Sequence, residues 1–432
     1  MDELGLTIVF LSVLFLFLGT GVWVAVSLIG VATVGMLLFT SRPVGDAMAT
    51  TIWGASSSWT LTALPLFIWM GEILFRTKLS ENLFKGLTPL LSKLPGGLLH
   101  VNIAGCTIFA AISGSSAATV ATVGKMSIPE LRQRNYPEGM IIGTLAGAGT
   151  LGLLIPPSIT LIIYGVTVNE SIAQLFIAGI LPGLMLAVLF MGYVSVWGLL
   201  SGNRKAGQLE QSGRMKDVVQ LIPVILLIAG VMGSIYTGVA TATEAAVLGV
   251  VGALLLSAFQ GSLSRENFVS ALLGATRTSA MIAFILAGST FLSLAMGFTG
   301  LPRTLAEWIG GLSLSPWMLI FALMIFYIIL GCFLDGISSV VLTMAVIEPL
   351  VRQAGFDMIW FGIFLMVVVE MAQITPPVGF NLFVLQGMTG KDMAFIARAA
   401  LPMFVLMIVA VVILSVFPQI ATYLPDIMSG RN

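Results

Sequence analysis

Runs of apolar residues long enough to cross a lipid bilayer recur along this chain, and they constrain its fold more than any other feature. They lie at about 4–20, 22–40, 58–75, 139–163, 175–200, 218–236, 238–259, 278–298, 357–388 and 393–418. Hydrocarbon offers no partner to an unpaired backbone group, so segments of this length must satisfy themselves as helices. The fold class is therefore an all-α polytopic membrane protein. Charge scarcity agrees: 9% of the 432 residues are charged, against about 25% in a soluble domain. An ordinary soluble enzyme is excluded. A net charge of zero excludes a nucleic-acid binder, which needs a basic excess.

Two cysteines, Cys106 and Cys332, and one histidine, His100, are too few for a metal cage or a disulfide framework. Both cysteines read as small buried hydrophobes, and His100 as structural or interfacial. The chain opens Met1-Asp2-Glu3, without the basic region of a signal peptide, so the first apolar run is expected to be a retained span.

Lys and Arg set orientation. Eleven of the 19 fall in three stretches: residues 76–93, residues 125–134, and the polar linker Ser201–Asp217. All three are expected to be cytoplasmic. A single crossing at about 98–124 would put the first two on opposite sides. That segment is therefore expected to be a re-entrant hairpin, turning at Ser113-Gly114-Ser115-Ser116. Segment 315–347 carries Asp335-Gly336-Ile337-Ser338-Ser339 near its centre and is expected to be a second hairpin, entering from the opposite face. Both termini are then expected outside. Lys78–Pro95, with lysines among leucines, reads as an interfacial amphipathic helix.

Each half thus reads span, hairpin, interrupted span, span, in opposite orientations: an inverted repeat, as in secondary transporters. An internal echo supports it. Pro129-x-x-Arg132-Gln133 is matched by Pro349-x-x-Arg352-Gln353, and Pro156-Pro157 and Pro376-Pro377 each follow 27 residues after the proline of their half's motif. The expected divisions are N-terminal scaffold helices at 1–57, a first repeat at 58–200 and the linker at 201–217. Further scaffold helices follow at 218–275, then a second repeat at 276–418 and a tail at 419–432.

Paired prolines within a span force a break and free carbonyls beside the hydroxyls of Gly149–Ser158 and of Met371–Pro377. Carbonyl and hydroxyl oxygens without an obligatory carboxylate suit a monovalent cation, and the half-helices that follow present positive dipole ends to an anion. Charges within spans usually mark function. Asp335, at a hairpin tip, is favoured for a cation or gating role. Glu370 either assists the second break or caps and pairs. Glu244 reads as structural, Glu72 pairs with Arg76 at helical i, i+4 spacing, and Arg277 lies near a membrane edge. An enzyme is not expected: no base stands near Ser115 except the distant His100, Asp335 has no Asp partner, and no P-loop is present. A channel stays open on these residues alone, although hairpins facing broken helices fit alternating access better.

At these motifs the chain resembles the large permease subunit of tripartite ATP-independent periplasmic (TRAP) transporters, the DctM-like family. The matching stretches are Phe109–Gly124, Gly147–Tyr164, Asp335–Met344 and Glu370–Val384, with Pro65–Arg76 and Ala240–Ala246 beside them. The resemblance implies a sodium-driven importer of organic acids, such as C4-dicarboxylates or sugar acids, in the bacterial inner membrane, working by an elevator movement. It implies two partners: a small four-helix membrane subunit and a periplasmic substrate-binding protein. It places one sodium site at Ser113, Gly114 and Ser115 with Gly149, Gly152 and Pro156. A second falls at Asp335, Gly336 and Ser338 with Gln373, Thr375 and Pro376. Ser116, Thr150, Ser339 and Asn381 complete the sodium- and substrate-binding set. Sodium is the coupling ion, and no other cofactor is implied. One departure is Ala372-Gln373, where the family more usually has Gly-Leu. A stand-alone divalent-anion/sodium symporter of similar architecture is the alternative.

Overall fold

The computed structural model describes residues 10, 12–17, 19–76, 79–201, 215–300, 315–332, 334–376 and 379–430, and no strand occurs among them. The first half begins with α1 (Val24–Phe39), α2 (Val44–Ser56) and α3 (Ala63–Phe75). The amphipathic α4 (Leu79–Leu91) leads into a hairpin of α5 (Leu99–Ser113) and α6 (Ser116–Gln133). A broken helix follows: α7 (Glu138–Gly149), a 3-10 turn at Thr150–Leu153, and α8 (Ile159–Val168). The long α9 (Ile172–Leu200) closes this half.

The second half starts with α10 (Ile222–Tyr236), α11 (Ala242–Phe259) and α12 (Arg265–Thr299). Its hairpin is α13 (Pro316–Gly331) with α14 (Gly336–Gln353), and its broken helix is α15 (Met358–Gln373) with α16 (Phe380–Thr389). The chain ends with α17 (Met393–Val416) and α18 (Gln419–Ser429).

The ends of these helices are written locally. Side-chain oxygens of Ser115, Ser158, Asp335, Asp357 and Asp392 each accept a backbone N–H in the first turn of the helix they precede. Such caps satisfy donors that a helix start otherwise leaves orphaned. Thr241 and Glu244 form a reciprocal capping box on α11, which gives Glu244 the structural role its sequence context indicates.

The expected breaks are present, and several run ends shift. Among the described residues, five helices are single pieces long and apolar enough to cross a membrane, or six if the pair Val44–Ser56 and Trp59–Phe75, bent by 54°, is one span. The runs at 139–163 and 357–388 are cut by their Gly- and Pro-rich breaks into shorter helices, and 22–40 yields the 16-residue α1. Both hairpins outrun their expected ends, at 124 and 347, because Pro129 and Pro349 sit inside α6 and α14. Each of these prolines is exposed, so the carbonyl it leaves unbonded is not sealed in the core. Much of run 4–20, Lys78, Pro377 and residues 202–214 of the linker lie outside the described residues.

Packing repeats between the halves. α5 lies on α7 as α13 lies on α15, while α6 packs on α16 and α14 on α8, each arm crossing to the other half's broken helix. Likewise α7 meets α17 and α15 meets α9. Glycines permit the closest approach: Gly143 touches the Ala399 carbonyl, and a Cβ at Gly147 would stand 2.6 Å from the Met403 side chain. Buried polar tips join the crossing elements, as where the Tyr164 hydroxyl donates to the Met358 carbonyl at 2.7 Å. Apart from this body, α12 packs on α1, α2 and α3, with α11 on α3. Glu72 and Arg76 make the expected pair at 2.8 Å, and Arg76 also donates to the Ser270 carbonyl at 3.2 Å, tying α3 to α12.

Candidate functional site

Both hairpin tips end at breaks in the long helices. In the first, α5 stops because Gly114 adopts a left-handed conformation with φ +58°, which side-chain-bearing residues rarely occupy. Ser113 Oγ then donates to the Ser115 carbonyl at 3.2 Å and shares a hydrogen bond with Thr119 Oγ1 at 2.8 Å. This closes the turn into a compact knot of hydroxyls. The knot sits on the first break: a Cβ at Gly114 would lie 3.1 Å from the Pro157 carbonyl oxygen, and one at Gly152 would lie 2.5 Å from the Ser116 nitrogen. Gly149 leaves room for the Val120 side chain, and at Gly114 and Gly152 the approach is between backbones. Only glycine lets these backbones meet.

The first break is itself bonded. Thr150 Oγ1 donates to the Gly147 carbonyl, and Ser158 Oγ donates to the Leu153 carbonyl, both at 2.5 Å. Pro156 is buried beneath, and the α9 backbone closes in at Gly179, whose Cβ would stand 2.5 Å from the Leu154 carbonyl oxygen.

The second tip mirrors the first with different chemistry. Asp335 is exposed and uses one carboxylate oxygen to accept from Ile337 N–H at 3.2 Å and Ser338 N–H at 3.4 Å. A negative group at this helix start is favoured by its dipole. Ser338 and Ser339 are buried, and Ser339 Oγ has no partner. Two bonds tie the tip to the second break: Gln373 Nε2 donates to the Leu334 carbonyl at 3.3 Å, and Cys332 Sγ to the Pro376 carbonyl at 3.5 Å. Thr375 Oγ1 turns back to the Met371 carbonyl at 2.7 Å. Gly379 lies where a Cβ would meet the Gln373 and Thr375 carbonyl oxygens at 2.7 and 2.8 Å. Asn381 is fully buried, with neither end of its amide bonded.

The two loci touch. A Cβ at Gly336 would meet Leu153 Cδ1 at 2.7 Å, so the second tip rests on the first break. The structure thus brings Ser113–Ser116 to Gly149 and Gly152, and the Asp335–Gly336 tip to Gln373 and Pro376. Thr150 and Thr375 bond to their own helices, and among the described residues Ser338 makes no hydrogen bond to the second break. Residue-by-residue reading missed Leu153 as the bridge; nothing marks it out in a run of leucines. It also gave no role to Arg132 and Arg352, whose duplication in the two repeats was the available signal.

All-helical architecture, crossing repeats and hairpins that meet helix breaks are features of transporter-type membrane proteins. The chain matches the tripartite ATP-independent periplasmic transporter, DctM component, over residues 11–420, and it belongs to that family. It is 31% identical to the C4-dicarboxylate TRAP transporter large permease protein DctM of Pseudomonas aeruginosa, over 90% of this chain and 92% of that one. It is 29% identical to the sialic acid TRAP transporter large permease protein SiaM of Vibrio cholerae, over 95% and 96%. An ectoine/5-hydroxyectoine large permease of Ruegeria pomeroyi is 32% identical over 86% and 87%. Among solved structures, the Alcanivorax borkumensis YdaH transporter shares the fold, with a TM-score of 0.65 over 94% of this chain and 98% of that one, at 13% identity.

Proposed function

We propose that this TRAP large permease subunit carries small organic acids into the cell by symport with sodium. C4-dicarboxylates and sugar acids are the favoured substrates, in line with the names of relatives that handle C4-dicarboxylates and sialic acid. A periplasmic binding protein delivers the substrate, and a small four-helix membrane subunit completes the assembly in the bacterial inner membrane, with both termini of this chain on the periplasmic side. The body built from both hairpins and both broken helices moves as an elevator against α1–α3 and α10–α12.

The observation that carries this reading is the pair of tip-to-break loci. Each gathers hydroxyl and carbonyl oxygens in backbone that has left the helical pattern, the donor set a hard monovalent cation takes. Ser113, Ser115, Gly149 and Gly152 belong to one sodium site. Asp335, Gln373, Thr375 and Pro376 belong to the other, with Ser339 and Asn381 facing substrate.

The test is uptake into proteoliposomes holding this chain with its cognate small subunit and binding protein. Uptake should follow an imposed sodium gradient, and Ser115→Ala and Thr375→Ala should each weaken that dependence. An unchanged sodium response in both variants overturns the sodium sites. Uptake that needs neither partner identifies a stand-alone symporter instead.

A further inference from the structure

We infer that the Ser289 hydroxyl and the bare backbone of Gly71 form a reversible latch, which holds the body of hairpins and broken helices in its present position. The inference rests on the elevator movement proposed above. Ser289 lies in α12, is buried, and donates from Oγ to the Val341 carbonyl of α14 at 2.7 Å. Val341 stands in the second turn of the arm that leaves the second tip.

Local chemistry makes this bond easy to exchange. A helical Ser or Thr often bonds to the carbonyl one turn back. On α12, Thr276 does so to Leu272 at 2.8 Å and Thr290 to Leu286 at 2.9 Å. Ser289, beside Thr290, reaches across to the other helix instead. When the body moves away, its hydroxyl has the Ile285 carbonyl one turn back, and the Val341 carbonyl keeps the N–H of its own helix. Neither group is orphaned, so the latch is worth one neutral hydrogen bond and no unpaired-group penalty. A contact of that size biases two positions without locking either.

The neighbouring residues put Ser289 on the scaffold. A Cβ at Gly288 would stand 2.8 Å from the Ala25 carbonyl oxygen, so this turn of α12 is seated on α1. Gly71 of α3 makes the matching seat at the first tip, where a Cβ would stand 2.8 Å from the Ile112 carbonyl oxygen. Ile112 lies in the last turn of α5, where carbonyls lack helical partners. Each hairpin is therefore met close to its tip through a backbone carbonyl, by a hydroxyl on one side and by bare backbone on the other.

The experiment is a double electron–electron resonance measurement on the full-length chain in nanodiscs, without substrate. Nitroxides are attached at Glu266→Cys in α12 and at Lys391→Cys between α16 and α17, both exposed, in a Cys332→Ser background; Cys106 is buried. Two distances are expected, one of them that of this structure. Ser289→Ala should lower the ratio of this distance to the other about fivefold. Gly71→Ala should lower it too, because its methyl group presses on the Ile112 carbonyl. Two distances whose ratio either variant leaves unmoved, or raises, overturn the latch and leave the elevator movement standing. A single distance in the parent chain and in both variants overturns the two together.

Discussion

Arg352 donates an N–H to the carbonyl of Val168, the last residue of α8, at 3.0 Å. Arg132 does the same for Thr389, the last residue of α16, at 3.4 Å. Each arginine ends a hairpin arm in one half and covers the negative end of a broken helix in the other, an arrangement the helix dipole favours. Glutamates hold both guanidinium groups in place: Glu138 pairs with Arg132, and Glu348 and Glu170 pair with Arg352. Arg352→Ala and Arg132→Ala should each lower stability by about 1 kcal/mol, a figure kept small by the exposure of the side chains. Thermal melts of the purified chain check this. The two losses should add, because the braces share no partner.

Gly152 lies against the first tip with no room for a side chain. A Cβ there would stand 2.5 Å from the Ser116 nitrogen and 2.6 Å from the Ser115 carbonyl carbon, both backbone atoms. Gly152→Ala should destabilise by roughly 1–3 kcal/mol as the tip is displaced, and uptake should fall with it. Gly192, inside α9, has nothing within 4 Å of its Cβ position. Gly192→Ala should raise stability by about 0.5–1 kcal/mol and leave uptake unchanged.

Gln373 secures the second tip through the Leu334 carbonyl. Gln373→Leu removes that bond, worth about 1 kcal/mol, so the tip should open roughly fivefold more often. Cys332, bonded across the same gap, reports on it. Its labelling by a maleimide should speed up by that factor, while the fully buried Cys106 stays unlabelled. Equal Cys332 rates in both proteins would show that the amide does not latch the hairpin.

Thr241→Ala removes one half of the capping box on α11, where Glu244 also accepts from the Thr241 backbone N–H at 2.8 Å. Stability should drop by about 1 kcal/mol with no change in the sodium dependence of uptake. A loss of sodium response would give this acid a role beyond holding the helix start.

The breaks and tips were legible because their signals are local. Gly114 ends a helix whatever surrounds it, Asp335 caps whatever follows it, and paired prolines interrupt any helix. Hairpin lengths were less legible, since a proline such as Pro129 is tolerated or not according to whether its freed carbonyl is sealed in apolar surroundings, which is a tertiary property. Contacts between repeats were the least legible. Leu153 against Gly336, and Gln373 against Leu334, join residues whose separation along the chain carries no periodic signal. The exposed faces of α9 and α10 read only as apolar, because lipid imposes no finer pattern on them.

The crossed packing of α8 and α14 also has a consequence in time. The carbonyl of Val168 and the arginine that covers it are 184 residues apart, and a ribosome adding 5–20 residues per second takes roughly 10–40 s to cover that distance. For that interval the first half resides in the bilayer with the end of its broken helix uncovered. Any factor that shields nascent membrane segments acts on this protein in that window, before its second hairpin has been made.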